Sequence, residues 1–404
     1  MTYQLNIKEV TYALSEALDL VGIDDTMHGK RVAYMAAEIA KELKYSQNLI
    51  DDIIFIGMLH DCGVSSTDVH NHLVNELDWD NAQVHSDRGY NLLSNTNTYK
   101  KFALAVKYHH THWDSFDVDV KEDVKNIANL IYLADRVDAL RAQMKHMGVK
   151  TTKMIQETIL NYSGEMFSPE FVDTFMRVSS KGSFWFYLEE ESLEEYYLEW
   201  VSTGKTEEFS FEEIRELSLM FAYIVDAKST FTSEHSLGVA SLSKHLAELF
   251  KLPKDICEKI ELAGLLHDLG KLRVDDAILN KPSALNADEI LKMNRHGFDS
   301  DIILRRIKGF KEIAHIASLH HETLDAKGYP YSLEAKDIPF EARILSIADI
   351  FQALIQERPY RKGLSAEKAY DIIFSMFEAG KLDGDIVKKL KENLESCYQY
   401  AVMK

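Results

Sequence analysis

Ten of the sixteen histidines fall into two ordered series, each accompanied by two aspartates. The first series is His28, His60-Asp61, His85, His109-His110 and Asp135; the second is His235, His267-Asp268, His296, His320-His321 and Asp349. By subtraction the paired positions lie 207, 207, 211, 211 and 214 residues apart, a drift that small loop insertions explain. Gly148 with Gly363, and FSPEFV at 167–172 with LDGDIV at 382–387, hold the register at 215. Scattered core histidines have no reason to repeat in order, so the chain reads as a duplicated domain.

Imidazole mixed with carboxylate suits iron, manganese, zinc, cobalt or nickel, whereas a calcium site takes oxygen ligands. Five histidines and two aspartates exceed what one four-coordinate ion with an open position needs. They fit two ions sharing a carboxylate and a water, a pair that polarises a phosphoryl group and generates hydroxide near neutral pH. Hydrolysis of a phosphodiester is the chemistry this predicts. Lys271 follows His267 by four residues; by position it is either a cation for phosphate or an ordinary lysine in the last turn of a helix, where positive charge is favoured anyway.

The elements that must carry these side chains are helical. VAYMAAEIAKEL (32–43), VASLSKHLAELF (239–250) and AYDIIFSMFEAG (369–380) repeat apolar residues at three- and four-residue intervals, and strand-like alternation is scarce. IELAGLLHDLG places His267 and Asp268 at a helix end, with Gly270 free to turn the chain. Adjacent helical residues point about 100° apart, which leaves His267 for one ion while Asp268 bridges two. IGMLHDCG mirrors AGLLHDLG, and YLADRVDAL mirrors SIADIFQAL.

With 404 residues the chain has room for two domains. The expected class is all-α, with two tandem domains at 1–190 and 209–404. The acidic run LEEESLEEYYLEW (188–200) marks the boundary as a helix leading into a linker at 191–208; a solvated helix face is the other reading of that run. Acidic residues exceed basic ones by 65 − 46 = 19, which argues against polymeric nucleic acid or an anionic membrane as partner. A phosphate substrate then needs a local cation, which bound metal supplies. The first residues lack a basic start and apolar run, no stretch is long enough to span a membrane, and Cys62, Cys257 and Cys397 are too far apart for a CxxC pair. A cytoplasmic location with buried thiols is expected. His70, His72, His112, His146, His245 and His315 read as ordinary structural or surface residues, His112 least so because it follows His109-His110 closely.

Residues 209–404 resemble the HD-GYP family of cyclic-dinucleotide phosphodiesterases, a branch of the HD superfamily. The resemblance rests on HDLGK (267–271), HHETLDAKGYP (320–330) and ADIFQALIQERPYR (348–361), with His235 upstream and His296 between them. It implies two HD-type helical domains and a centre of iron or manganese. It also implies hydrolysis of cyclic di-GMP or 3′,3′-cyclic GMP-AMP to a linear 5′-phosphorylated dinucleotide, with mononucleotides as a further product. The metal ligands it implies are His235, His267, Asp268, His296, His320, His321 and Asp349. Asp268 and Lys271 become catalytic, with Lys271, Tyr329, Gln352 and Arg358 near substrate.

Three positions depart from the family pattern: Ala326 stands for a glycine, Gln352 for an aspartate, and Gly297 for a proline. Members with three metals often carry a glutamate four residues before the first histidine; Phe231 occupies that position, which favours two ions. The first half keeps His28, His60, Asp61, His85, His109, His110 and Asp135 as a second metal set, with Asp24 opposite Phe231. Val64 replaces the lysine there, and the GYP loop is absent. That half is either a metal-retaining regulatory domain or a separate 5′-nucleotidase. Rival readings of the whole chain are a signalling module that binds a cyclic dinucleotide or a diguanylate-cyclase-type partner without turnover, and a diiron oxygenase, which the lysine and GYP loop disfavour.

Overall fold

The computed structural model describes residues 2–22, 27–79, 81–144, 147–228, 235–357 and 362–403. Arg358, Phe231, Asp24 and His146 lie outside them. The chain forms two compact units, one of Asn6–Thr206 and one of Glu207–Lys404 joined by the N-terminal residues up to Leu5. Nearly every element is a helix, as the apolar periodicity requires; the one sheet among the described residues pairs strands Thr2–Asn6 and Thr206–Ser210. No helix among the described residues is long and apolar enough to cross a membrane, and all three cysteines are free and buried.

Each unit is assembled around the same pair of helices. In the first, His28–Glu42 packs on Gln47–Leu59; in the second, His235–Leu249 packs on Lys254–Leu266. Both crossings depend on a glycine. A Cβ at Gly57 would lie 2.5 Å from Ala33 Cα, and one at Gly264 would lie 2.7 Å from Ala240 Cα. The backbones approach closely enough that only hydrogen fits between them. The histidines that open one helix and close the other are thereby brought face to face. Gly264→Val is therefore expected to lower stability by about 1–3 kcal/mol through overpacking, read as a reduced urea midpoint, and to lower bound metal through displacement of His267 three residues on.

A third long helix closes each core, Glu122–Ala142 in the first unit and Phe340–Ile355 in the second. In the second unit Ile344, Ile347, Ala348 and Phe351 pack with Leu242, Leu246 and Ile260, all fully buried. That burial fixes the rotation of the helix and presents Asp349 on the opposite stripe to the histidines. Helix Glu190–Ser202, which carries the acidic run, belongs to the first unit: Leu193, Tyr197 and Trp200 are buried, and the Tyr197 hydroxyl donates to Lys30 O at 2.6 Å. Its glutamates occupy the other face.

Candidate metal centres

All seven second-half candidates converge. His235 opens helix His235–Leu249, His267 caps Lys254–Leu266, His296 opens His296–Leu304, His320 and His321 follow Lys311–Ser318, and Asp349 sits within Phe340–Ile355. Three overlapping groups each have ligand atoms within 4.8 Å of one another: His235 with His267 and Asp268, His267 with His320 and Asp349, and His296 with His320 and His321.

Asp268 divides its two oxygens between them. Oδ2 lies 3.7 Å from His235 Nε2 and 3.3 Å from His267 Nε2, while Oδ1 lies 3.5 Å from His296 Nε2 and 3.8 Å from His320 Nε2. Asp349 Oδ1 faces His235 at 3.3 Å and His267 at 3.8 Å. A carboxylate with a separate histidine pair at each oxygen is the arrangement a bridging ligand needs.

The rings are aimed by their other nitrogens. His267, His296 and His320 place Nδ1 at 2.8, 2.6 and 2.7 Å from the carbonyls of Gly264, Met293 and Ala317, each three residues earlier. A carbonyl only accepts, so Nδ1 carries the proton and the lone pair of Nε2 points inward. The supply of carbonyls comes from helix ends, whose last C=O groups have no partner within the helix. Buried His267 Nε2 and Asp268 Oδ1 have no hydrogen-bond partner. Orphaned lone pairs in a buried site are costly to leave unfilled, and a cation fits them.

Electrostatics agree with a cation-binding site. Burial, which disfavours the charged imidazolium, pushes His296 down to about 4 and His321 to about 3, and holds His320 well below its usual range. These rings are neutral at pH 7, the form a metal ligand needs. Burial alone would raise Asp268, but His267 and Lys271 hold it well below the carboxylate range. Asp349, likewise raised by burial, is pulled down by its hydrogen bond to His235 and by the charges of His267 and His235.

The positions expected near substrate fall in different places. Lys271 Nζ donates to Asp268 Oδ2 and remains partly exposed. Tyr329 packs over His321 with ring centroids 4.7 Å apart. Gln352 is buried, and its Oε1 lies 2.6 Å from His235 Nδ1, so it orients that candidate ligand. Its counterpart 214 residues earlier, Asp138, does the same for His28 at 2.9 Å.

Glu322 has a role that the sequence reading did not assign. Its buried carboxylate accepts from the backbone N–H groups of Tyr331, Ser332 and Leu333 at 2.7, 3.1 and 3.0 Å, knitting the GYP loop to the histidine doublet. The glutamate directly after His320-His321 was the available signal. A Cβ on Gly328 would fall 2.4 Å from Glu322 Cα, so glycine is required there. Ala326 adopts φ 58°, the left-handed conformation for which the glycine of the family pattern is suited. Ala326→Gly is expected to stabilise the protein by about 0.5–1 kcal/mol, the left-handed penalty of alanine less the added chain entropy of glycine, measured by urea unfolding. Gly297 lies close to Pro330, where an added Cβ would be 3.2 Å from Pro330 Cδ.

The first unit repeats the centre with altered chemistry. Asp61, His85, His109 and His110 form one candidate group, and His28, His60 and Asp61 another. His60 and His109 again point Nδ1 at carbonyls three residues back, at 2.7 and 2.5 Å. His60 Nε2, Asp61 Oδ1 and His110 Nε2 are buried without a hydrogen bond. Asp135 Oδ1 lies 3.4 Å from His28 Nε2, but its Oδ2 accepts from Arg136 at 2.7 and 3.2 Å. The same guanidinium also donates to the carbonyls of Glu76 and Leu77. Val64, at the lysine position, is buried. His112 lies 3.1 Å from Asp78 and stacks on Tyr132, beside the candidate ligands rather than in either group.

Comparison with known proteins bears on both units. HD-domain family models match residues 27–140 and 219–386. A 3′3′-cGAMP-specific phosphodiesterase (number 1) of Vibrio cholerae is 36% identical over 99% of this chain and 94% of its own length. The chain belongs to the HD-GYP family of cyclic-dinucleotide phosphodiesterases. This HD-GYP protein is also 32% identical, over 53% of its length and 56% of the relative's, to a cyclic di-GMP phosphodiesterase of Thermotoga maritima. The solved structure of a cyclic GMP-AMP-specific phosphodiesterase of V. cholerae matches its fold across 99% of this chain and 98% of the other, with a TM-score of 0.66 at 22% identity. The two HD domains of the HD-GYP protein coincide with the two histidine series, the second of which carries the lysine and the GYP loop.

Proposed function

We propose that the second HD domain hydrolyses 3′,3′-cyclic GMP-AMP to a linear 5′-phosphorylated dinucleotide, using two divalent ions, iron or manganese, in the cytoplasm. The observation that carries the reading is the division of Asp268 between two histidine pairs, with Lys271 alongside. The choice among cyclic dinucleotides is supported by the relative that extends over both domains. Free, buried thiols fit a reducing compartment.

His235, His267, Asp268 and Asp349 would hold one ion, and Asp268, His296, His320 and His321 the other. Such a pair, when bound, polarises the phosphoryl oxygens and acidifies a bound water. The protein supplies the rest. Asp268 would offer one oxygen to each half of the centre, and neutral His296, His320 and His321 would hold their lone pairs toward it. Lys271 lies on an Asp268 oxygen; with that oxygen engaged by metal, the ammonium would be available to the phosphoryl oxygens and would stabilise the charge that develops there. Tyr329, packed on His321, forms the adjacent wall of the substrate site. Arg358 is assigned to the same site from the family pattern.

The first HD domain has the donor atoms for metal but no equivalent of Lys271 or the GYP loop. We assign it metal binding without cleavage of the cyclic dinucleotide. Anaerobically purified, metal-analysed protein incubated with 3′,3′-cyclic GMP-AMP and cyclic di-GMP, with products resolved over time, tests both assignments. Faster conversion of the mixed dinucleotide to a linear product is expected. Saturable binding with no product in protein loaded with iron(II) or manganese(II) would instead establish a signalling module.

A further inference from the structure

The first unit contains a cavity of about 610 Å³, well within the range of small-molecule sites. Its lining includes Arg141, Lys153, Gln156, Trp185, Phe186 and Leu188, none of which belongs to either histidine series. We propose that this cavity is a binding site for a purine nucleoside phosphate, distinct from both metal centres.

One wall is a rigid aromatic platform. The Trp185 indole N–H donates to Ser179 O at 2.8 Å, and the ring is braced edge-on by Phe175 and Phe184 at centroid distances of 6.5 and 5.2 Å. Its rotamer is set before any ligand arrives. Phe186 stands beside it 66% exposed, so its ring is open to a stacking partner. Flat aromatic surfaces of this kind accept a nucleobase through either face.

The polar groups fit the remainder of such a ligand. Gln156 donates to the Ser179 hydroxyl at 2.8 Å and retains a carbonyl oxygen able to accept from a base. Arg141 and Lys153 contribute positive charge in a chain whose net charge is −19. Glu189 is the one acidic residue of the lining; Arg141 is paired with Asp138, so exposed Lys153 is the cation placed to meet an anionic group next to the aromatic wall. Purine and phosphate together use both features.

The cavity is also connected to the first metal centre. Arg141 Nε donates to Asp138 Oδ1 at 2.7 Å, and Asp138 Oδ2 is 2.9 Å from His28 Nδ1. A ligand that draws on Arg141 therefore alters the group that orients His28. This link rests on the assignment of metal binding to the first HD domain; occupation of the cavity does not.

Equilibrium dialysis of the 404-residue chain with 5′-GMP and 5′-AMP tests the proposal. One equivalent should bind to wild-type protein, to His320→Ala protein and to metal-stripped wild type. Lys153→Glu and Phe186→Ser, both at exposed positions, should each weaken binding at least ten-fold while leaving cyclic-dinucleotide cleavage unchanged. Absence of binding, loss confined to His320→Ala, insensitivity to both cavity substitutions, or equal competition by inorganic phosphate would each overturn it. Saturating nucleotide should shift manganese(II) affinity at the first centre at least about five-fold; an unchanged affinity removes the link. Cleavage by the same preparations is read separately, so failure of the phosphodiesterase assignment and failure of the cavity assignment give different results.

Discussion

Asp268→Asn protein is expected to keep its helical circular dichroism and to lose about 10³-fold or more in kcat, together with part of its metal. The magnitude follows from the two sides of the carboxylate. An ion stabilises a phosphoryl transition state by several kcal/mol, and each 1.4 kcal/mol is about ten-fold in rate, so loosening one ion of a pair removes about 10³-fold. Asparagine retains the shape and one acceptor oxygen but presents N–H donors to the histidine pair on its other side. Since Oδ1 and Oδ2 each face two imidazoles, no rotamer of the amide serves both. Metal analysis beside product formation distinguishes this from a folding defect. Full metal content with full turnover would sink the bridging assignment.

Lys271→Met is expected to produce the complementary result. The substitution retains most of the side-chain length and removes the charge, leaving every candidate ligand in place. A group that stabilises charge appearing only in the transition state contributes about 10²–10³-fold to kcat, with smaller effects on KM. Metal content should remain at wild-type stoichiometry. If lysine instead served mainly to neutralise Asp268, methionine would leave kcat nearly unchanged and alter metal affinity. The KM-against-kcat division therefore separates a catalytic lysine from a structural one.

Much of this centre is legible in the sequence because helix ends create the site. An HD doublet following an apolar helix, and an HH doublet following another, lie where carbonyls of the last turn are available to orient imidazoles; His267 and His320 use them. The ordered duplication identified all seven residues that converge in the second unit, and the same order exposed their counterparts in the first. The contributions of Gln352 and Glu322 were less legible. Both act through contacts that bring separate segments together: 117 residues separate Gln352 from His235, and Glu322 secures a loop through three backbone donors. No periodicity records such bonds. The cavity was hidden for a similar reason, since Arg141, Gln156 and Trp185 come from three separate helices with no common spacing.

The placement of Arg136 affects how the two halves can change over generations. Its guanidinium is shared by Asp135 and two backbone carbonyls, whereas Ile350 stands at the equivalent position of the second half. Conversion of the first centre toward the second would involve, besides a GYP loop, both loss of this arginine and gain of a lysine at Val64. Arginine lost first leaves buried acceptors unanswered, and lysine gained first adds a second cation to a centre that already has one. Each single step is unfavourable, so the duplicates are separated by a mutational valley, and selection can modify one copy without readily drawing the other back to it.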